Sequence, residues 1–149
     1  MAITVTIATQ VSDELVASLN HLLPQLSTTA QPLTTSHVHE IVNSSVSSLF
    51  VANDENGNVV GTLTLVAFVI PTGLRVWIED VVVDESGRGK GVGEALTIAA
   101  IEEASRRGAR SIDLTSRPSR AAANSLYQRL GFEPRETNVY RFLVETDDR

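Results

Sequence analysis

The chain has 149 residues, 42% hydrophobic and 20% charged, a size and balance that support one domain with a buried core and exclude a disordered chain. It holds no cysteine, which rules out a disulfide scaffold and every thiolate metal site. Its three histidines offer no zinc spacing, since His37 and His39 stand two apart and turn to different sides of a helix, so no metal is expected. The net charge of −6 argues against nucleic acid and anionic membrane as partners. The charge is unevenly spread: of the 12 Lys and Arg side chains only Arg75 precedes residue 80, so a polyanionic ligand would meet the second half of the chain.

Taken in order, Ile3 to Thr9 alternates Ile and Val with Thr, which predicts a first strand. Ser12 or Asp13 caps a helix to about Leu23, apolar at Leu15, Val16, Leu19, Leu22 and Leu23, and Pro24 ends it. Gln25 to Thr35 reads as a polar loop and His37 to Asn43 as a short helix. Strands at Ser48 to Ala52 and Val59 to Ile70 are joined by Asn53-Asp-Glu-Asn-Gly57, a hairpin signal, and Pro71-Thr-Gly73 turns the chain into a fourth strand, Arg75 to Val83. A helix at Gly91 to Arg107, a strand at Ser111 to Thr115, a helix at Ser119 to Leu130 and a last strand at Asn138 to Val144 follow, with a charged tail at Glu145 to Arg149. This is an α/β pattern with a mixed sheet. No repeat or linker interrupts it, so residues 1–149 read as one domain. Val59 to Ile70 is too short, and too broken by Gly61, Thr62 and Thr64, to span a bilayer. The start shows no basic segment leading into an apolar one, so a cytoplasmic location is expected.

The segment Val81-Val-Val-Asp-Glu-Ser-Gly87-Arg-Gly-Lys-Gly-Val-Gly93 carries the chemistry. A β-branched strand runs into a loop with glycine at alternate positions and then into a helix. Such a loop converges backbone N–H groups on one point, the helix start adds free donors and partial positive charge, and Arg88 and Lys90 add full charges. This is a phosphate cradle. It is not the Walker pattern, since Gly91 stands where Ser or Thr is required. Nor is it the dinucleotide pattern, since Val92 and Glu94 stand where the third glycine would be.

Arg88-Gly-Lys-Gly91-Val-Gly93 resembles the Arg/Gln-x-x-Gly-x-Gly/Ala signature of the GNAT superfamily of N-acetyltransferases. Asn124-Ser-Leu-Tyr127-Gln-Arg-Leu-Gly131-Phe132 resembles that family's second motif, and Glu79-Asp-Val-Val-Val83 its fourth strand. The resemblance implies a GNAT fold: a mixed central sheet of about six or seven strands, splayed between the fourth and fifth, flanked by about four helices. It implies acetyl-CoA as cosubstrate, with the pyrophosphate on the amides of Arg88, Gly89, Lys90, Gly91, Val92 and Gly93. The pantetheine arm would pair with the strand edge at Val81, Val82 and Val83, and Asn124 and Tyr127 would touch the cofactor.

The implied reaction is direct attack of a primary amine on the thioester, with a small amine, an amino sugar, an antibiotic or a protein lysine as acceptor. An alkylamine is mostly protonated at neutral pH, so a base or a water chain must take a proton, and the departing thiolate benefits from an acid. Tyr127 matches the family tyrosine and is the expected acid, although Ala123, Tyr127 and Leu130 also make an apolar helical face. Glu79 is the expected base and Asp80 the second choice, since alternation along a strand admits one of the two to a cleft and a carboxylate buried in an apolar strand needs a partner or a task. Arg117 and Arg120 follow the fifth strand and could meet a phosphate or an anionic acceptor, or simply stay solvated. Trp77 and Tyr140 could line an acceptor pocket but are expected to be buried and structural, the histidines to lie at the surface or at helix caps, and Glu102/Arg106 and Glu103/Arg107 to decorate a solvated helix face. Acceptor choice is expected to lie in Leu26 to His39 and Pro71 to Leu74, where no motif is readable. The fold leaves strand-edge pairing into a homodimer open. The alternative from another class is a non-catalytic acyl-CoA-binding sensor or interaction module, which keeps the loop and dispenses with Glu79 and Tyr127.

Overall fold

The structure is a computed structural model that describes residues 2–145. The chain divides into two compact units, Met1–Arg117 and Pro118–Arg149. The first holds β1 (Thr4–Ile7), α1 (Asp13–Leu26), α2 (Thr35–Val42), β2 (Ser47–Asn53), β3 (Val59–Ile70), β4 (Gly73–Val83), a 3-10 turn at Glu85–Gly87, α3 (Val92–Arg106) and β5 (Ile112–Asp113). The strands form one sheet in the order β1-β2-β3-β4-β5, antiparallel except for the parallel β4-β5 pair.

Alternation along the strands gives the sheet two dressed faces. Leu49 and Val51 of β2 join Leu15 and Leu19 of α1 and Val38 of α2 in one buried cluster. Gly61, opposite Ala52 in register, points the other way: a Cβ there would lie 2.9 Å from Val92 Cγ1 and 3.2 Å from Leu96 Cδ1, so α3 packs against bare backbone. Leu22, Leu63, Leu96 and Val76 are all buried to 1% exposure or less, and each such side chain contributes about 1.5–3 kcal/mol by leaving water. At its C-terminal end α3 is tied down by Glu103, which is buried rather than solvated. Arg107 Nε donates to it at 2.7 Å and Arg106 donates as well, while Arg107 Nη2 reaches Ser48 Oγ at 2.9 Å. Burial pushes the Glu103 carboxyl up, and the two guanidiniums outweigh it and hold the group below the usual carboxylate range.

Helix α1 does not stop at Pro24. Ser12 is its cap, accepting from Leu15 N at 3.1 Å, and the helix runs on to Leu26, with Ser27 N donating to Leu23 O at 2.9 Å. Proline removes only the one rung its own N–H would have made, and the buried Leu22 holds the last turn in place. The connection to α2 is pinned by Asn20, whose side chain donates to Leu33 O at 3.0 Å and accepts from Leu33 N at 2.7 Å.

The second unit contains α4 (Ala121–Arg129). Gly131, at φ +103°, closes the helix, and Phe132 N bonds back to Tyr127 O at 2.9 Å, setting the two rings edge to face with centroids 5.7 Å apart. The expected strand at Asn138 to Val144 does not form. The described residues make five strands rather than six or seven, and Val139, Tyr140, Phe142, Leu143 and Val144 are 73–88% exposed. Alternating apolar residues hold an extended ladder only where a neighbouring strand supplies hydrogen bonds, and here none does. Tyr140 is accordingly not a buried structural residue, and of the charged tail only Glu145 lies within the described residues.

Candidate active site

The registers around β4 build the site. Thr62 of β3 faces Val82, but Thr64 faces Glu79, so Asp80 and Val81 together oppose Leu63 alone. This is a β-bulge, and Asp80 adopts φ +50° within it, the one non-glycine residue with positive φ among those described. The left-handed conformation costs an ordinary residue about 1–2 kcal/mol, and aspartate tolerates it better than most. The bulge also breaks the strict alternation expected of the strand. Asp80 lines a cavity between α1, α2 and the sheet, while Glu79 shares the face of its register partner Thr64, which lines the same cavity. Both carboxylates are solvent-exposed, so neither bears the burial cost anticipated from the apolar sequence around them.

On its other side β4 meets β5 at only two positions, Val76↔Ile112 and Trp77↔Asp113. Beyond Trp77 the strands part, so the edge of Val81, Val82 and Val83 has no ladder partner on that side. Arg75 closes the paired end, lying 5.8 Å from the Trp77 ring centroid and 3.8 Å from the Asp113 carboxylate.

The glycine loop then divides its work unevenly. Gly89 and Gly91 hold φ of +75° and +81°, with nothing within 4 Å of where a Cβ would sit. Gly91 caps α3 without any side-chain bond, and its carbonyl accepts from the Ala95 amide at 3.0 Å. The amides of Val92 and Gly93 are thus the open donors of a helix start, beside the exposed Arg88 and Lys90. Gly87, by contrast, is buried, and a Cβ there would come 3.2 Å from Val92 Cγ2. Gly93 lies inside the helix, where its carbonyl accepts from Thr97 Oγ1 at 2.7 Å. The open, donor-rich rim fits a pyrophosphate, and the bare strand edge fits an amide-bearing arm.

A polar cluster that the sequence reading missed anchors this loop to α1. Asp84, 9% exposed, accepts from His21 Nε2 and Gln25 Nε2, both at 2.8 Å, and from Ser86 N at 3.2 Å and Ser86 Oγ. The Ser86 hydroxyl above all, then Gln25, then His21, hold its carboxyl far below the ordinary range against the opposing effect of burial. Gln25 also accepts from Glu85 N at 3.2 Å and from Arg88 Nη2 at 3.5 Å, so it braces the arginine of the cradle. His21 and Gln25 are one turn apart on α1, a helical pair visible in the sequence, but their partner lies about 60 residues on.

In the second unit, burial raises the Tyr127 phenol above its ordinary value while the charge of Arg120 pulls it down. The phenol therefore stays protonated through neutral pH, as a proton donor must. Asn124 sits one turn before it, in the first turns of α4, where its N–H donates to Arg120 O at 3.0 Å. Among the described residues no cluster of three or more His, Cys, Asp or Glu is placed to hold a metal, and no helix is long and apolar enough to cross a membrane.

Comparison with known proteins agrees with this geometry. An uncharacterized N-acetyltransferase of Methanocaldococcus jannaschii is 42% identical over 59 residues, which are 40% of this chain and 26% of that protein, so the match spans about a quarter of the relative's length. A Trypanosoma brucei acetyltransferase structure superposes with a TM-score of 0.78 at 25% identity, covering 95% of this chain and all of that one. An aminoglycoside acetyltransferase from an uncultured soil metagenomic sample, in complex with trehalose, shares the fold at a TM-score of 0.83 and 18% identity, with 97% of each chain covered. The model of the acetyltransferase (GNAT) family matches residues 16–132, and the chain belongs to that family of acyltransferase enzymes, with its α/β fold and its parallel, parting β4-β5 pair.

Proposed function

We propose that residues 1–149 form one acetyltransferase domain that moves the acetyl group of acetyl-CoA to a primary amine by direct attack in a ternary complex. The observation that carries this reading is the β4 edge left bare beyond Trp77, running straight into a loop whose left-handed glycines and helix start offer open amides. The pyrophosphate sits on the amides of Arg88 to Gly93, with Arg88 and Lys90 supplying charge. The pantetheine arm lies along Val81, Val82 and Val83 as a short added strand and brings the thioester to the bulge, and Asn124 contacts the cofactor.

Glu79 takes a proton from the acceptor ammonium, directly or through water. The freed lone pair attacks the thioester carbon, and a β4 backbone N–H stabilises the resulting oxyanion. As the adduct collapses its nitrogen gives up the second proton to water, the thiolate leaves and takes the proton of Tyr127, and amide and free CoA depart while Tyr127 regains a proton from solvent and Glu79 returns its own to it. With no cysteine in the chain, no cysteine-based acyl-enzyme can intervene. The aminoglycoside acetyltransferase of the same fold supports an amine acceptor in this class.

The test is calorimetric titration with CoA together with thiol release from acetyl-CoA over a panel of amines, for the wild type and Tyr127→Phe. Transfer that falls at least tenfold in the variant with CoA affinity unchanged is the expected result. CoA binding without any turnover would make the domain a sensor, and absence of CoA binding would overturn the reading of the loop.

A further inference from the structure

We infer that the cavity between α1, α2 and the sheet is the acceptor pocket, and that the acceptor is a monoamine with a compact apolar body, alkyl or aryl, rather than a polyamine or an aminoglycoside. The inference rests on the acetyltransferase reading above and names its substrate class. The cavity measures about 210 Å³, and Asp80 and Val82 bring it against the stretch of β4 assigned to the thioester arm. Its walls are mostly aliphatic. Leu22 is buried, and Leu26, Leu33 and Ile41 complete a wall contributed by α1, the connection and α2. Among its lining residues Asp80 alone is charged, and it is exposed, which places it at the mouth.

Size and charge then select the ligand. An apolar cavity of about 150 Å³ takes up benzene, so this one admits a ring with a short chain or a branched alkyl group of similar bulk. Pockets for drug-sized molecules begin at about 300 Å³. Asp80 on the lining, with Glu79 on the same face beside it, gathers all the negative charge around one ammonium at the mouth and leaves the aliphatic interior with none. Each further ammonium of a polycation would be pressed against leucine without a counter-charge, which disfavours it strongly. The bulge explains how a strand residue reaches this place: the left-handed turn at Asp80 takes its carboxylate out of the alternation and onto the cavity.

The experiment measures 2-phenylethylamine, a series of linear and branched alkylamines, spermidine and an aminoglycoside, both for binding to the CoA-loaded protein and for acetyl transfer. The expected result is that 2-phenylethylamine binds and is acetylated at least tenfold more efficiently than either polycation. Affinity along the alkyl series should gain up to about fourfold per added methylene until the cavity is full. Asp80→Asn should raise KM for the amine at least tenfold with kcat and CoA affinity little changed. Asp80→Gly, which relieves the backbone, should fold at least as well and show the same loss. Preference for a polycation, no binding of 2-phenylethylamine to protein that still binds CoA, or an unchanged KM in both variants would overturn the pocket assignment while leaving the acetyltransferase reading intact. Failure of CoA itself to bind would instead strike that reading.

Discussion

Replacing Asp84 by Asn tests whether the anchor between α1 and the cradle loop is electrostatic. The carboxylate accepts four hydrogen bonds, two from Ser86 and one each from Gln25 and His21. A bond to a charged group is worth about 1.5–3 kcal/mol and a neutral one about 0.5–1.5, so each sheltered Ser86 contact loses about 1 kcal/mol when the charge goes. His21 is 67% exposed along its side chain, so water screens that contact and its share is smaller. The asparagine also turns an N–H₂ toward one pair of donors. The expected total is about 3 kcal/mol, a urea midpoint lowered by about 1.5 M.

The same carboxylate sets a pH signature. Its folded value lies well below the ordinary 3.8 of the unfolded chain, so its stabilisation is complete above that ordinary value and is lost as pH falls toward the folded one, at up to about 1.4 kcal/mol per pH unit. Asn does not titrate, so the stability gap between wild type and Asp84→Asn should be full at pH 7 and narrow steadily from pH 4 to pH 2.5. Urea titrations at a series of pH values read both quantities. A gap under about 1 kcal/mol at pH 7, or one that stays constant into acid, would refute the argument.

Gly61→Ala places a methyl 2.9 Å from Val92 and 3.0 Å from the Val82 carbonyl, and such overpacking should cost about 1–3 kcal/mol in a thermal melt, with α3 displaced from the cradle. Asp80→Gly removes the strain of φ +50° and should stabilise the fold by about 0.5–1 kcal/mol, as read by urea denaturation. Gln25→Ala frees Arg88 and Glu85 N from their brace and should weaken CoA binding about three- to tenfold by calorimetry, the size of one neutral hydrogen bond, since both contacts are long and exposed; unchanged affinity would show that the loop holds its shape unaided. Because burial raises the Tyr127 phenol, the alkaline fall in kcat should come above the ordinary tyrosine value of about 10 and vanish in Tyr127→Phe.

Much of the scaffold was legible because its signals are local. Period-two alternation marked β1, the Asn53 to Gly57 turn marked the hairpin of β2 and β3, and the glycines after a β-branched strand marked the turn into α3. What escaped depends on pairing at a distance. Asn138 to Val144 reads as a strand by composition, yet a strand exists only with a neighbour. Pro24 reads as a stop, yet the burial of Leu22 outweighs one missing rung. Glu79 and Asp80 read as a choice between faces, and only the register reveals a bulge that sets both on one side. Asp84 reads as a loop residue, since nothing nearby announces partners on a helix about 60 residues earlier. Of the two segments expected to shape acceptor choice, Leu26 to His39 supplies Leu26 and Leu33 to the cavity lining and Pro71 to Leu74 supplies none of it.

The two faces of β3 and β4 are packed to opposite ends, and this asymmetry suits an enzyme of this class. Beneath the cradle, Gly61 and Gly87 leave so little space that Val92 and Leu96 rest nearly on backbone, which fixes the start of α3 and with it the amides that would hold a phosphate. Above the same strands the packing gives way to a cavity walled by α1, α2 and the connection between them. Substitutions at Leu26 or Leu33 can reshape that cavity without touching a residue under α3, because strand alternation assigns the two sets to different faces. The Asp84 cluster links the faces, since His21 and Gln25 come from the cavity-lining helix while Asp84 and Arg88 belong to the glycine loop and its approach. On α1, changes at the partly exposed lining residues Leu23 and Leu26 would reshape the cavity alone, whereas changes at His21 or Gln25 would also disturb the loop proposed to hold the cofactor.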